Sequence, residues 1–133
     1  MTKETIAFLT LLSIGFSAWA QDNTYTQRYN ACMDKSGGVT VDMHNCIGEE
    51  HARQDARLNQ AYKALTAQLT PLRKNELVAA QRLWIQYRDA NCKFYADPDG
   101  GTMATINAAS CGLEMTAERA KELERLAEQR DSQ

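Results

Sequence analysis

The sequence contains few of the residues from which metal and cofactor sites are built. It has two histidines and four cysteines, and no two cysteines are spaced as the CxxC half-site of structural zinc. A CxxCH motif for covalent haem is absent too. The methionines of residues 21–133 occur singly rather than in Met-x-Met clusters, which argues against copper. The sequence therefore predicts neither a metal nor a cofactor.

A clustered basic surface is also lacking. The chain carries 15 Lys and Arg residues against 17 Asp and Glu residues, a formal net charge of −2. Binding to nucleic acid or to an anionic membrane calls for a concentrated positive patch. We therefore expect no nucleic-acid partner and no membrane association of the mature protein.

The apolar run at residues 6–16 is too short to span a bilayer. Ala18-Trp19-Ala20 follows it and matches the small-x-small pattern that signal peptidases cleave. We predict a signal peptide at residues 1–20 and a single helical domain at residues 21–133, located in the periplasm or secreted. An uncleaved anchor or a buried amphipathic segment is the alternative.

Apolar spacing, Pro and Gly together predict four helices. A short helix at residues 24–36 ends at Gly37-Gly38, a second covers residues 42–69, and Thr70-Pro71 begins a third that continues to about residue 96. The fourth follows a Pro- and Gly-containing turn, and no stretch alternates with period two for long enough to form a strand. The predicted fold class is all-α, a small antiparallel bundle of about four helices. One apolar face of the third helix is predicted to contain Leu77, Ala80, Trp84, Tyr87, Asn91 and Phe94.

The four cysteines fall into two pairs, each of which flanks a Gly-Gly turn: Cys32 with Cys46, and Cys92 with Cys111. Residues at similar distances from the tip of an antiparallel hairpin face one another, so each pair can reach the Cα separation of about 5.5 Å that a disulfide needs. An exported protein meets an oxidising compartment. We therefore predict two disulfides, each contributing about 3 kcal/mol in the chain-entropy model.

No arrangement of side chains typical of an active site is found, and we expect that the protein is not an enzyme. His51 and Asp55 are one helical turn apart and can pair, but such a pair on a charged helix is usually a solvated contact. The polar start of the second helix, residues 49–57, is interpreted as an exposed, ion-paired overhang because Glu49 and Arg53 have the favourable i,i+4 orientation. A surface that meets a partner is the alternative.

Three segments carry motifs in a fixed order. They are an LNxxY run at residues 58–62, a QxxWxxxRxxxC run at residues 81–92, and Gly100-Gly101-Thr102 followed by Cys111 and residues 116–123. Together they resemble the LprI-type lysozyme-inhibitor domain over nearly the whole mature chain. The resemblance implies a bacterial envelope protein with a helical fold and, for at least some members, inhibition of lysozyme. The motif positions that define this scaffold are Leu58, Asn59, Tyr62, Gln81, Trp84, Arg88, Gly100, Gly101 and Arg119.

Within the third helix, Trp84 is predicted to fill the core, while Gln81 and Arg88 bond across to another helix or to loop carbonyls. Blocking a lysozyme would require a rigid protrusion that enters the cleft, and the stapled turns at residues 36–40 and 97–102 are the natural candidates. The predicted partner is thus a protein, a lysozyme or a related muramidase. The residues predicted to contact it are Ser36, Val39, Asp97, Asp99 and Thr102.

A periplasmic chaperone or envelope-stress binding module is the alternative function. Leu69-Thr70, at the opening of a helix, resembles the start of the LTxxQ signature of Spy-like chaperones. Arg73 occupies the position where that signature has Gln, and those proteins do not depend on hairpin disulfides of this kind. The inhibitor hypothesis is therefore preferred.

Overall fold

The computed structural model describes residues 24–132, which form four α-helices. They are α1 (Gln27–Ser36), α2 (Thr40–Ala67), α3 (Pro71–Phe94) and α4 (Gly101–Asp131), and residues 24–132 contain no β-strand. The all-α fold class is confirmed. The predicted signal peptide at residues 1–20 lies outside the described residues. Within the described part of the chain, no helix has both the length and the apolar character needed to cross a membrane.

The helix ends follow from local chemistry. The side-chain oxygen of Thr26 caps α1 by accepting a hydrogen bond from the backbone N–H of Tyr29 at 3.2 Å. Gly37 ends the same helix in the left-handed region, with φ of 56°, where a side chain would be strained. Thr70 and Pro71 begin α3 as predicted, with Thr70 as the N-cap and Pro71 at the first helical position.

Two apolar clusters along the contact between α2 and α4 form the core. The buried residues of the first cluster are Leu58, Ala61, Leu65, Ala120, Leu123 and Ala127. The buried residues of the second are Ile47, Ile106 and Leu113, and Tyr25, Tyr29 and Met33 from the start of the described chain pack against them. The central pair of helices therefore supplies the buried apolar residues of both clusters.

Helices α2 and α4 run side by side in the same direction. Three contacts advance along both helices together: His44 with Thr105, His51 with Thr116, and Arg57 with Glu124. Helix α1 packs on α2, and α3 packs on α4, each as an antiparallel hairpin closed by a disulfide. The molecule is thus two antiparallel hairpins joined through a parallel central pair.

The packed face of α3 differs from the predicted apolar face. Leu77 and Trp84 pack against the first cluster, but Tyr87 and Phe94 are 62% and 82% exposed. The disulfide between Cys92 and Cys111 of α4 fixes the rotation of α3 about its axis. At 3.6 residues per turn, Tyr87 and Phe94 lie roughly 140° and 160° around the axis from Cys92. These two rings therefore point away from α4, and the prediction that they share a face with Leu77 and Trp84 is wrong.

Candidate functional site

Both disulfide-stapled turns lie at the same end of the protein. Each of the parallel helices α2 and α4 begins directly after one of the turns. His44 Nε2 and Thr105 Oγ1, in the first turns of these helices, are 2.9 Å apart, so the two stapled turns are neighbours. We call the surface formed by residues 36–44 and 95–105 the stapled end. The sequence pattern predicts each turn but not their proximity.

Each turn is closed by the predicted disulfide. The Cα atoms of Cys32 and Cys46 are 5.7 Å apart, and those of Cys92 and Cys111 are 5.4 Å apart. Both distances lie in the range that disulfides adopt, and both pairings are confirmed. Because closing a short loop removes chain conformations, the backbone of the stapled end is held at two points.

The second turn depends on its two glycines. A Cβ atom on Gly100 would lie 2.7 Å from the Cβ atom of Ala104, and Gly101 has a φ of 62°. Within the same turn, Asp97 Oδ1 accepts a hydrogen bond from the backbone N–H of Asp99 at 2.9 Å. Gly100 and Gly101 therefore shape the loop that enters α4.

Of the residues predicted to contact a partner, Val39, Asp97, Asp99 and Thr102 are exposed at the stapled end. Ser36 is buried instead. Its hydroxyl donates a hydrogen bond to the backbone carbonyl of Met33 at 2.7 Å and accepts one from the backbone N–H of Gly38 at 3.4 Å. Ser36 supports the first turn from inside, and its side chain offers no contact to a partner.

Three further apolar residues are exposed at the stapled end. Val41, Tyr95 and Met103 are 62%, 47% and 56% exposed, and they join Val39 at 51%. Each of these apolar residues lies in or next to a turn and outside the apolar stripe of its helix. That position is the sequence signal for their exposure. Residues 36–44 and 95–105 contain three aspartates and no Lys or Arg. The stapled end is therefore apolar with acidic neighbours.

The motif residues of α3 and α4 meet around Trp84, which is half-buried. The guanidinium carbons of Arg88 and Arg119 lie 5.1 and 5.9 Å from the centre of its ring, within the range of cation–π contacts. Arg119 Nε donates a hydrogen bond to Gln81 Oε1 at 3.0 Å, and an Arg88 nitrogen lies 3.5 Å from Thr116 Oγ1. Gln81 thus bonds across to α4 as predicted, while Arg88 reaches α4 only through its longer contact and donates its short hydrogen bonds to Asp89 of α3 at 2.9 and 2.8 Å.

Two of the motif residues of α2 pack in or against the core, and the third lies on the surface. Leu58 is buried in the first cluster and Tyr62 packs against it. Asn59 is exposed, and its Nδ2 donates a hydrogen bond to Asp55 Oδ2 at 3.0 Å. Of the whole motif set, only Gly100 and Gly101 belong to the stapled end. The motif therefore marks the scaffold more than the exposed surface.

His51 and Asp55 line a shallow cleft with Arg88, but their hydrogen bonds go elsewhere. His51 Nε2 is 3.0 Å from Thr116 Oγ1, a buried hydroxyl of α4, while Asp55 accepts its hydrogen bond from Asn59. Burial and the positive charge of Arg88 lower the pKa of His51, against the opposing effect of Asp55. The His51 imidazole therefore helps to hold α2 against α4.

The polar start of α2 is partly buried and is not an exposed overhang. Glu50 is fully buried and Gln54 is 4% exposed. Glu50 accepts hydrogen bonds from the backbone N–H and hydroxyl of Thr26 at 3.0 and 2.7 Å, from Gln54 at 2.8 Å and from Arg53 at 2.8 Å. The overhang interpretation is wrong here because the segment before α1 folds back over this turn of α2. Glu49 does remain exposed and pairs with Arg53 at 3.6 Å.

We expect stability to decrease in acid through Glu50. Burial raises the pKa of this carboxyl, but hydrogen bonds from Gln54, Thr26 and Arg53 outweigh burial and lower the pKa from 4.5 to about 2. A lowered pKa stabilises the folded state above the unfolded value, and that contribution is lost as the pH falls through the folded value. Wild type should therefore exceed Glu50→Gln in free energy of unfolding by about 3 kcal/mol at neutral pH, with the difference vanishing near pH 2.

Urea unfolding of both proteins at stepped pH values measures this difference. Because the two proteins share all other carboxyl groups, subtraction isolates the contribution of residue 50. A difference that stays constant from neutral pH down to about pH 2 would contradict the role given to the ionised carboxylate.

Two stapled hairpins and a parallel central pair define the class: a small, disulfide-stabilised helical protein that presents a rigid surface. Among residues 24–132, no group of three or more His, Cys, Asp or Glu side chains is placed to hold a metal ion. The chain belongs to the LprI lysozyme-inhibitor family, whose profile, described as "Lysozyme inhibitor LprI", matches residues 32–123.

A curated relative gives a further comparison. The chain is similar to an uncharacterized protein of Rhizobium meliloti (strain 1021), with 29% identity over 102 residues, which cover 66% of this chain and 73% of that protein. No solved structure gives a significant match.

Proposed function

We propose that this protein is an exported inhibitor that binds lysozyme-like muramidases through the stapled end. Membership of the family supports inhibition of lysozyme, and the apolar segment before residue 21 supports export by a cleaved signal peptide to the periplasm or the exterior. The observation that carries the choice of surface is that two disulfide-closed turns lie side by side and expose apolar side chains.

The composition of the stapled end suits such a target. Muramidases cut sugar chains with a pair of carboxyl groups in a cleft, and many of them are basic proteins. Asp97 and Asp99, on the exposed loop, would speed encounter with a basic enzyme. Val41 and Met103 would then lose their solvent-exposed apolar surface on binding, which is favourable.

Rigidity favours this surface further. A binding loop that is already ordered loses little conformational freedom when it binds. The disulfides Cys32–Cys46 and Cys92–Cys111 hold the two turns, and the contact between His44 and Thr105 holds them to each other. Binding at the stapled end therefore requires little additional ordering of the backbone.

Met103→Glu tests the surface. We expect the oxidised protein to slow lysis of cell walls by at least one class of muramidase, and Met103→Glu to weaken that inhibition by about tenfold or more because a charge replaces a buried apolar contact. Leu72→Glu is the matched control, since Leu72 is 68% exposed at the opposite end of the bundle. Its inhibition constant should equal that of wild type. Lysis assays with muramidases of several classes supply both values.

Two results would contradict the proposal. Inhibition that Met103→Glu leaves intact would place the contact elsewhere on the protein. A wild-type protein that inhibits no muramidase, but suppresses the aggregation of unfolded clients, would favour the chaperone alternative, for which the exposed apolar side chains of α3 would be the natural surface.

A further inference from the structure

Helix α3 carries a second exposed apolar surface, separate from the stapled end. Leu72, Leu83, Tyr87 and Phe94 are 68%, 65%, 62% and 82% exposed. At 3.6 residues per turn they fall within roughly 60° of one another around the helix axis. Trp84 lies on the side that packs against the core. The four exposed side chains therefore form a stripe along the outer face of α3.

The stripe has a spacing that reads the same in both directions. Its members are Leu72, Glu76, Ala79, Leu83, Tyr87, Ala90 and Phe94. Successive steps of four, three, four, four, three and four residues are symmetric about Leu83. Steps of three and four residues keep successive side chains on one helix face, as a seam between two helices requires. A symmetric spacing lets one helix face an identical, reversed copy of itself.

We propose that α3 pairs antiparallel with α3 of a second copy of this chain, about a two-fold axis at Leu83. Reversal about this axis places Leu72 opposite Phe94 of the second copy, and Tyr87 opposite Ala79. Leu83 meets its own counterpart. Large side chains thus face small ones next to the axis, as interdigitated packing of two helices requires.

Charge favours the antiparallel arrangement over the parallel one. Glu76 is the one charged residue in the stripe. In a parallel pair it would face Glu76 of the second copy, and like charges at a helix contact are destabilising. In the antiparallel pair it faces Ala90 and comes within one helical turn of Lys93 of the second copy, which carries the opposite charge.

The area of the stripe indicates how strongly two copies should associate. Two exposed aromatic rings and two exposed leucines present roughly 500 Å² per copy, against the roughly 800 Å² that each partner gives to a standard interface. A contact of less than standard size indicates a weak, concentration-dependent dimer. Because the pairing is antiparallel, the two stapled ends lie at opposite ends of the dimer and stay exposed.

Leu83→Glu tests the proposal by sedimentation equilibrium of the oxidised protein. Wild type should show a weight-average mass that rises from one chain toward two across the micromolar range. Leu83→Glu places two carboxylates at the two-fold axis and should weaken association by on the order of 100-fold. Met103→Glu, a change of the same kind at the stapled end, should dimerise like wild type. A wild type that stays monomeric, or association that Leu83→Glu leaves unchanged, overturns the proposal.

Cysteine cross-linking tests the register. A mixture of Leu72→Cys and Phe94→Cys proteins should form a mixed disulfide-linked dimer under mild oxidation, because these two positions come within disulfide range of each other only in the antiparallel pair. Leu83→Cys should link to itself in either arrangement and serves as the positive control for pairing through α3. Self-linking of Leu72→Cys in preference to the mixed dimer would overturn the antiparallel arrangement.

The inhibition assay separates this inference from the proposed function. Leu83→Glu should inhibit muramidases as wild type does, and Met103→Glu should lose inhibition while it still dimerises. Loss of inhibition in Leu83→Glu, with a wild type that is monomeric, would instead make the stripe of α3 the muramidase-binding surface and overturn the self-association.

Discussion

Glu50→Ala is expected to lower the free energy of unfolding by about 3 to 4 kcal/mol, a large share of the roughly 5 to 15 kcal/mol that a domain of this size has. The carboxylate of Glu50 accepts four hydrogen bonds in a fully buried position. Its removal leaves the backbone N–H of Thr26 and the amide of Gln54 buried without this partner. Buried donors that lose their acceptor keep the cost of desolvation without a compensating hydrogen bond.

The neighbouring residue provides the control. Glu49 is 53% exposed and reaches Arg28 and Arg53 only at 3.6 Å, so Glu49→Ala should cost less than about 1 kcal/mol. Urea unfolding at neutral pH measures both variants. Equal losses for the two substitutions would show that burial of Glu50 does not contribute to stability in the way its contacts indicate.

Replacing Cys92 and Cys111 together by Ala should destabilise the protein by about 3 kcal/mol and loosen α3 in particular. Across residues 71–94, all of which the structure describes, Cys92 is the one buried residue. The remaining contacts of α3 come from half-buried side chains such as Trp84 and Leu77. Without the disulfide, α3 is held mainly by these, and its backbone amides should exchange with solvent faster than those of α2.

The other disulfide is the matched comparison. Replacing Cys32 and Cys46 by Ala should cost a similar free energy, because the two closed loops differ little in length. Hydrogen exchange of the backbone amides should then become faster in α1 and not in α3. Unfolding in urea together with hydrogen exchange measures both effects. If either pair of substitutions increased exchange equally in all four helices, the disulfides would act on the whole fold and not on their own hairpins.

The sequence predicts the features of this fold that depend on neighbouring residues. Thr70-Pro71 identifies a helix start because a capping hydroxyl and a fixed φ act within one turn. The disulfide partners follow from distances to a Gly-Gly turn in the same hairpin. Four helices and both disulfides are therefore predicted correctly from local patterns.

Features that depend on distant residues are not predicted. Glu50 lies in a run of charged residues, and nothing nearby indicates that Thr26 covers it. The outward rotation of Tyr87 and Phe94 depends on where Cys92 meets α4. The stapled end depends on the direction of α2 relative to α4, which the core residues of the two helices determine together. That the exposed residues Val41 and Met103 share one surface is consequently seen only in the structure.

The connectivity of the disulfides bears on how the protein oxidises. Each bond joins cysteines that are consecutive in the sequence, separated by 14 and 19 residues. If the chain is exported with its N-terminus first, as proposed, Cys32 and Cys46 leave the translocation pore before Cys92, so the first bond can close before Cys92 emerges. The native pairs then arise in order of appearance. On that route the native disulfides form without the slow reshuffling of mispaired thiols.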